Sequence, residues 1–176
     1  MLEVYLKKYL RAYAFLLPLA SLIVILDQWT KSIIRLKLPY NQAWMPLEWL
    51  RPYARIVHWQ NTGAAFGIAQ GKGLFFTILG IIVIGVIIWY FPQIPAKDFF
   101  LRLALGLQLG GAMGNLVDRL LRGYVTDFIS VGSFAVFNVA DSCITVGAGV
   151  LLLGMFLEER KARKIVAQDA KETQNE

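Results

Sequence analysis

The sequence predicts an all-α polytopic membrane protein: four transmembrane helices with a small β-rich element on the outer face, forming one membrane domain. First, 57% of the 176 residues are hydrophobic and the mean hydropathy is +0.53, whereas a soluble domain contains about 45–50% apolar residues. Second, the apolar residues are collected in long uncharged segments. Such segments form membrane-spanning helices when they reach about 20 residues, the length that crosses the hydrocarbon.

The predicted spans follow these uncharged segments. No charged residue occurs in 12–26, 73–91 or 103–117, and 128–157 carries Asp141 alone. The first segment lacks a small-x-small cleavage site, so we expect it to be a retained helix rather than a signal peptide. We predict spans at about 12–30, 73–91, 99–117 and 136–157, an outer β-rich segment at about 38–72 and a polar tail at 158–176.

The segment between the first two spans has a different pattern. Three prolines interrupt any helix there, and residues 55–60 have the composition of a strand. Aromatic residues crowd the segment, among them Trp44, Trp49, Tyr53 and Trp59. Aromatic residues of this kind form belts at membrane interfaces. The alternative is a small β-element that grips a partner chain or a lipid.

The distribution of lysine and arginine predicts the orientation. Ten of the 18 basic residues lie before the first span, between the second and third, or after the fourth. Basic residues concentrate in cytoplasmic loops, so we expect both termini in the cytoplasm. The formal charge of +6 suits a membrane with anionic lipids. No basic patch interleaved with aromatic residues indicates a nucleic-acid partner.

Asp127 and Asp141 flank the start of the fourth span. A carboxylate inside the hydrocarbon costs roughly 2.5–3.5 kcal/mol on insertion scales, so it is by default a functional residue. At 1.5 Å per residue, Asp141, Asn115 and Asp27 each lie about 20–25 Å along their helices from the cytoplasmic end. These polar residues therefore share one depth, in the outer leaflet. Two carboxylates brought together there can share one proton, which is what acid–base hydrolysis requires.

Two amide–carboxylate pairs occur at i, i+3 spacing. They are Asn115 with Asp118, and Asn138 with Asp141, and each pair shares one helical face. An amide there can orient the carboxylate or donate a hydrogen bond to developing charge. For Asp118 the favoured role is an ion pair with Arg122, four residues later.

The remaining polar residues have simpler interpretations. Asp27 and Lys31 are spaced for an ion pair that anchors the first helix at the surface. His58, the sole histidine, is expected to be a surface residue, and Cys143, the sole cysteine, a buried thiol. These leave no Ser–His or Cys–His nucleophile, and no His-Glu-x-x-His motif occurs. Neither a metal nor another cofactor is expected.

Five strings occur in order along the chain: Asp27-x-x-x-Lys31, Asn61-Thr-Gly-Ala-Ala-Phe-Gly67, Gly114-Asn-Leu-Val-Asp-Arg119, Gly123-Tyr-Val-Thr-Asp-Phe128 and Phe137-Asn-Val-Ala-Asp141. As a set they closely resemble bacterial lipoprotein signal peptidase, also called signal peptidase II. The resemblance covers about residues 12–157. It implies an aspartyl endopeptidase of the bacterial plasma (inner) membrane, which removes the signal peptide from prolipoproteins on the amino side of a diacylglyceryl-modified cysteine.

The resemblance also implies roles for individual residues. The catalytic carboxylates are Asp127 and Asp141. The substrate-binding positions are Asn61, Gly111, Asn115, Arg119 and Asn138, and the structural polar positions are Asp27, Lys31 and Asp118. The implied partners are lipid-modified prolipoproteins and membrane lipids. We expect a monomer whose active site lies near the outer face.

Two other classes of protein also place polar residues in membrane helices. A proton-coupled transporter needs a polar path to both faces. The cytoplasmic halves of the spans, such as residues 81–89 and 144–156, contain almost nothing ionisable. A structural or assembly subunit would use a face of small residues for helix contact, and Gly106, Gly110 and Gly114 form one. That alternative leaves both aspartates unexplained.

Overall fold

Four long helices carry most of the chain in a computed structural model, which describes residues 2–63 and 69–173. The helices are α1 (Leu2–Lys37), α2 (Gly73–Tyr90), α3 (Phe99–Arg122) and α4 (Val139–Thr173). Four helical stretches, the second of which includes the short helical turn after α2, are long and apolar enough to cross a membrane: Leu6–Lys37, Gly73–Gln93, Phe99–Arg122 and Val139–Lys164. The predicted fold class is confirmed, and the chain is a multi-pass membrane protein.

A three-stranded antiparallel sheet lies at one end of the helices. Its strands are β1 (Ala43–Trp44), β2 (Ala54–Asn61) and β3 (Val125–Val131), in the order β1-β2-β3. Because β1 and β2 precede α2 while β3 follows α3, the sheet joins two distant parts of the chain. We call this end of the bundle, where α1 and α3 finish and α4 begins, the sheet end.

The register of β2 against β3 determines how Asp127 lies relative to the end of β2. Trp59 pairs with Asp127, and Ile56 pairs with Ile129. The spacing is three residues on β2 and two on β3, so a bulge with one extra residue lies between these pairs. A bulge re-aims the side chains that follow it, and β2 then ends at Asn61, close to Asp127.

The aromatic residues singled out in the first connection are all exposed: Trp44, Trp49, Tyr53 and Trp59. They lie on β1, on β2 and in the segment that joins them. Exposed indole and phenol rings at the end of a transmembrane bundle are typical of the membrane–water interface. Their placement supports the aromatic-belt interpretation.

The prediction that His58 is a surface residue is wrong. The bulged part of β2 packs against the end of α1, and only 7% of His58 is exposed. Its ring Nδ1 lies 2.8 Å from the backbone carbonyl oxygen of Leu38, so Nδ1 carries the hydrogen in this contact. A strand-like sequence pattern does not tell which residues a bulge turns inward, which is why the burial was missed.

Helix α3 packs closely against α1 through its glycines. A Cβ at Gly110 would lie 2.7 Å from Cβ of Ile23, and one at Gly106 would lie 2.6 Å from Cδ2 of Leu19. Side chains at these positions would push the helices apart, so the glycine face allows the close approach of α1 and α3. At the end opposite the sheet, the core is apolar and includes Leu16, Phe91 and Leu109.

Arg102 lies within that opposite end and is buried. Its guanidinium carbon lies 4.6 Å from the ring centroid of Phe91 and 5.4 Å from that of Phe15. Nη1 donates a hydrogen bond to the carbonyl oxygen of Ile94 at 3.2 Å. Aromatic faces attract a desolvated cation, so this buried charge is compensated by rings and a carbonyl group.

Candidate active site

The polar residues singled out in the sequence converge at the sheet end. Five of them line a cavity of about 470 Å³: Asn61, Asn115, Arg119, Asp127 and Asp141. Ser142 and Thr145 add two hydroxyl groups to its lining. The apolar wall comes from residues 134–137 and from 144–146 on α4. Val146 is exposed on the surface of α4, so the cavity reaches the side of the bundle that would face lipid.

Asp127, in the middle of β3, is 1% exposed. Its carboxylate accepts hydrogen bonds from Nδ2 of Asn138 at 2.7 Å and from Nδ2 of Asn61 at 3.0 Å. Burial, and then the negative charge of Asp141, raise the pKa of Asp127 to about 7. At neutral pH, Asp127 is therefore protonated in a substantial fraction of the protein molecules.

Asp141 is the third residue of α4 and is only partly buried. Its carboxylate accepts from Nδ2 of Asn115 at 2.8 Å and from the backbone N–H of Asn138 at 3.2 Å. In return, Oδ1 of Asn138 accepts the backbone N–H of Asp141 at 3.0 Å. This reciprocal arrangement has the form of a capping box, and the positive end of the helix dipole favours a negative charge at this position.

Two asparagines connect the aspartates. Nδ2 of Asn138 donates to Asp127 and also to Oδ1 of Asn115, at 3.1 Å. Asn115 then donates to Asp141. Asn138 and Asp141 do contact each other, but through backbone N–H groups rather than from side-chain amide to carboxylate. The predicted pairing of Asn115 with Asp118 on one helix face is not the contact formed. Asn115 turns to Asp141 because α4 crosses α3 at this point.

Asp27 and Lys31 form the predicted ion pair, with 2.8 Å between Oδ2 and Nζ. The expectation that it lies at the surface is wrong, because both side chains are 0% exposed. Nζ of Lys31 also lies 3.4 Å from Oδ2 of Asp118 and donates to Oδ1 of Asn115 at 2.9 Å. The pair is therefore part of the buried network that supports the site.

Asp118 is the acidic centre of that network. The predicted ion pair with Arg122 is present at 3.2 Å, and Arg35 of α1 lies 3.4 Å from the same oxygen. The other oxygen accepts the backbone N–H of Thr126 at 2.9 Å. Asp118 thus ties the end of α3 to the start of β3, one residue before Asp127.

Asn61 is held by the segment between β2 and α2. Its Oδ1 accepts the backbone N–H of Gly63 at 2.9 Å and Nε2 of Gln70 at 3.4 Å. With its oxygen engaged there, its Nδ2 points to Asp127. The string Asn61-Thr-Gly-Ala-Ala-Phe-Gly67, which the sequence indicates to be a tight loop before the second span, lies partly outside the described residues, since the description resumes at 69.

Arg119 and Gly111 occupy different surroundings, although the resemblance implies substrate binding for both. Arg119 lines the cavity, and its guanidinium carbon lies 5.6 Å from the ring centroid of Phe76. Gly111 lies outside the cavity lining, where α3 crosses α4, and a Cβ there would overlap the carbonyl oxygen of Ala140. Cys143, expected to be buried, is half-buried on α4.

Four residues that the sequence analysis did not single out take part in the site. They are Gln28, Arg35, Gln70 and Thr126. Gln28 and Arg35 share the face of α1 that carries Asp27 and Lys31, and that spacing is a signal in the sequence. Thr126 donates its backbone N–H to Asp118, which no side-chain pattern indicates, and its Oγ1 accepts a hydrogen bond from Arg35 at 3.0 Å.

Comparisons with known proteins identify the family of the chain. The family described as Signal peptidase (SPase) II matches residues 19–157. A lipoprotein signal peptidase of Shouchella clausii is 42% identical over 147 residues, covering 82% of this chain and 95% of that protein. One of Streptococcus pneumoniae is 35% identical over 148 residues, with coverage of 83% and 95%.

A solved structure gives the same result for the fold. It is described as a bacterial membrane enzyme determined by the in meso method at 2.3 Å resolution. It superimposes with a TM-score of 0.74 at 32% identity, covering 81% of this chain and 88% of that one. The chain therefore belongs to the signal peptidase II family of lipoprotein signal peptidases, which are membrane-embedded proteases of signal-peptide processing.

Proposed function

We propose that the chain is an aspartyl endopeptidase that removes signal peptides from diacylglyceryl-modified prolipoproteins, cleaving on the amino side of the lipidated cysteine. The observation that carries the proposal is the pair Asp127 and Asp141, which line one cavity and are connected through Asn138 and Asn115. Two carboxylates in one cavity, one buried and one at a helix N-terminus, are suited to opposite protonation states.

The roles of the two aspartates follow from their surroundings. Asp127 is buried, its pKa is raised to about 7, and it is the group that holds the shared proton. Asp141 accepts hydrogen bonds at the start of α4 and is the ionised partner. After burial, the negative charge of Asp141 is the second cause of the raised pKa of Asp127, because close negative charges oppose each other.

The reaction uses one water molecule and needs no covalent bond between the enzyme and the substrate. Asp141 takes a proton from the water as the water oxygen bonds to the scissile carbonyl carbon, and Asp127 gives its proton to the carbonyl oxygen. The product of this step is a neutral geminal diol. Asp141 then protonates the amide nitrogen, the C–N bond breaks, and Asp127 recovers a proton from one hydroxyl group. The products are a carboxylic acid and a free amine, and both aspartates return to their starting states.

The rest of the cavity suits a lipidated peptide. Arg119, Asn61 and Asn115 offer hydrogen-bond donors beside the two carboxyl groups, and they are the proposed ligands of the peptide backbone and the tetrahedral carbon's oxygens. The wall formed by 144–146 is mostly apolar and reaches the exposed side of α4. Acyl chains of a diacylglyceryl cysteine would lie along this wall while remaining in the lipid.

The test is a cleavage assay with purified protein in detergent or bilayers. A prolipoprotein is supplied with and without its diacylglyceryl group, and the loss of the signal peptide is followed by its size. We expect cleavage of the lipidated form only, with a new amino terminus at the modified cysteine. Equal cleavage of both forms, or a cut elsewhere, contradicts the proposed specificity.

The proposed orientation places both termini in the cytoplasm and the sheet end at the outer face of the bacterial plasma membrane, because the short loops and termini at the opposite end carry most of the basic residues. Single cysteines at Gln42 or Ser133, in a Cys143→Ala background, should react with an impermeant thiol reagent on intact spheroplasts. Cysteines at Gln93 or Gln168 should react only after permeabilisation. All four positions are exposed, so the reverse pattern of labelling would invert the proposed topology.

A further inference from the structure

We propose that Asp27 and Asp118 are positioning residues, each of which fixes the backbone beside one of the two catalytic aspartates. This inference rests on the proposed function, since it concerns the placement of Asp127 and Asp141. It extends that function by giving a specific task to two buried carboxylates that do not touch the cavity.

The two contacts are matched. Oδ2 of Asp118 accepts the backbone N–H of Thr126 at 2.9 Å, and Thr126 immediately precedes Asp127. Oδ1 of Asp27 accepts the backbone N–H of Ala140 at 3.0 Å, and Ala140 immediately precedes Asp141. Each proposed catalytic residue is therefore preceded by a residue whose amide is held by a buried carboxylate from another element.

Lys31 ties the two contacts together. Its Nζ lies 2.8 Å from Oδ2 of Asp27 and 3.4 Å from Oδ2 of Asp118, and all three side chains are 0% exposed. One ammonium group thus sets the separation of the two carboxylates. Through them it sets the separation of the backbone at Thr126 from the backbone at Ala140.

The same ammonium group also sets the orientation of an asparagine. Oδ1 of Asn115 accepts both Nζ of Lys31, at 2.9 Å, and Nδ2 of Asn138, at 3.1 Å. With its oxygen occupied, Asn115 presents Nδ2 to Asp141. The alternative orientation would place an NH₂ group against an ammonium ion, which gives no hydrogen bond.

A purely structural role does not explain this arrangement well. Buried ion pairs contribute little net stability, and apolar replacements of similar volume often stabilise a protein. Helices α1 and α3 already make an apolar contact one turn away, where Gly110 meets Ile23. Placement of a catalytic group is a different requirement, because an error of about 1 Å can reduce turnover by about 100-fold.

The test compares leucine with asparagine at both positions. Asp27→Leu and Asp118→Leu remove the acceptor, whereas Asp27→Asn and Asp118→Asn keep an oxygen that can accept the same backbone N–H. In each variant Lys31 retains the other aspartate as a partner. We expect kcat to fall by about 100-fold in the leucine variants and by less than about tenfold in the asparagine variants. KM should stay within about twofold, because neither aspartate lines the cavity.

Two controls isolate the positioning role. Arg102→Met removes a buried charge at the opposite end of the bundle. It tests whether a loss of stability is enough to slow the reaction, and we expect its kcat to be unchanged. Asp127→Asn tests the proposed function itself. If Asp127→Asn still cleaves, the proposed function fails; if it is inactive while the variants at 27 and 118 keep normal kcat, only this inference fails.

Other results also count against the inference. They are a folded leucine variant with kcat within about threefold of the wild type, a change in KM alone, or asparagine variants as slow as the leucine ones. If a leucine variant does not fold, Asp27→Ser or Asp118→Ser replaces it under the same criteria. A serine hydroxyl is too short to reach the amide and leaves a smaller apolar change in the helix contact.

Discussion

The two ends of the helix bundle solve the problem of buried charge differently. At the sheet end, Asp27, Lys31 and Asp118 are fully buried and compensate one another, and Asp127 lies beside them at 1% exposure. At the opposite end the core is apolar, and Arg102 is compensated by aromatic rings. The ion network at the sheet end fixes the positions of polar atoms, whereas the apolar core at the opposite end packs the helices together.

This difference predicts where function and stability separate. Removing one member of a paired buried charge leaves its partner uncompensated, which is expensive in free energy. The sheet end contains several such paired buried charges, and they lie next to a cavity. The opposite end obtains its stability from burial of apolar surface, which contributes about 25 cal/mol per Å². Changes at the sheet end should therefore alter turnover first, and changes at the opposite end should alter stability first.

The largest expected effect comes from the two aspartates that line the cavity. Asp127→Asn and Asp141→Asn should each reduce cleavage by at least about 1,000-fold, because an amide keeps the shape of the side chain but cannot transfer the proton. The measurement is cleavage of a lipidated prolipoprotein by each purified variant, with folding checked by thermal unfolding. Near-normal turnover by either variant would show that the reaction does not use this pair.

The pH dependence should follow the proton on Asp127. Burial and the charge of Asp141 raise the pKa of Asp127 to about 7, so the group is protonated below that pH and ionised above it. Because the proposed mechanism needs the proton, kcat/KM should fall about tenfold per pH unit above about pH 7, or about 100-fold at pH 9. A rate that stays constant to pH 9 contradicts the assignment of Asp127 as the acid.

A change at Asn61 sharpens the pH prediction. The hydrogen bond from Asn61 lowers the pKa of Asp127, so Asn61→Leu removes a donor that favours the ionised form. The alkaline fall in kcat/KM should then begin at a higher pH than in the wild type. A shift to lower pH would mean that water entering the altered cavity outweighs the lost hydrogen bond.

Part of this arrangement was predictable from the sequence, because uncharged segments and a glycine face follow directly from composition and spacing. The burial of Asp27 and Lys31 was not, since an i, i+4 ion pair has the same spacing at a surface and in a core. The partner of Asn115 was also missed. It depends on where α4 crosses α3, and an amide on one helix gives no sign of a carboxylate that arrives from another.

Glycines at the two ends of the same helix crossing provide the next comparison. A Cβ at Gly111 would overlap the carbonyl oxygen of Ala140, beside Asp141, whereas a Cβ at Gly154 would lie 2.6 Å from Cβ of Phe100. Both alanine substitutions should destabilise the protein by about 1–3 kcal/mol through overpacking. Only Gly111→Ala should also slow turnover, by about tenfold, because it displaces the start of α4.

The measurement for the glycines is thermal unfolding together with kcat for each variant. Gly80→Ala is the matched control, because a Cβ at Gly80 would have no atom of the described residues within 4 Å. Equal losses of kcat in Gly111→Ala and Gly154→Ala would mean that turnover depends on the overall packing of α3 and α4. The distinction between the two ends would then not hold.

The smallest effect on activity is expected at the buried charge of the opposite end. Arg102→Met keeps an apolar side chain of similar length but removes the attraction to Phe15 and Phe91 and the hydrogen bond to Ile94. The unfolding free energy should fall by about 2 kcal/mol. The substitution loses a desolvated cation–π contact and leaves a carbonyl group unpaired, but it also removes the desolvation cost of a buried charge. Turnover of folded protein should stay unchanged, because this side chain contacts the turn after α2 and not the cavity. A fall in kcat that matches the loss of stability would mean that the two ends are coupled through α3, and that the polar network at the sheet end is not sufficient to hold the aspartates in place.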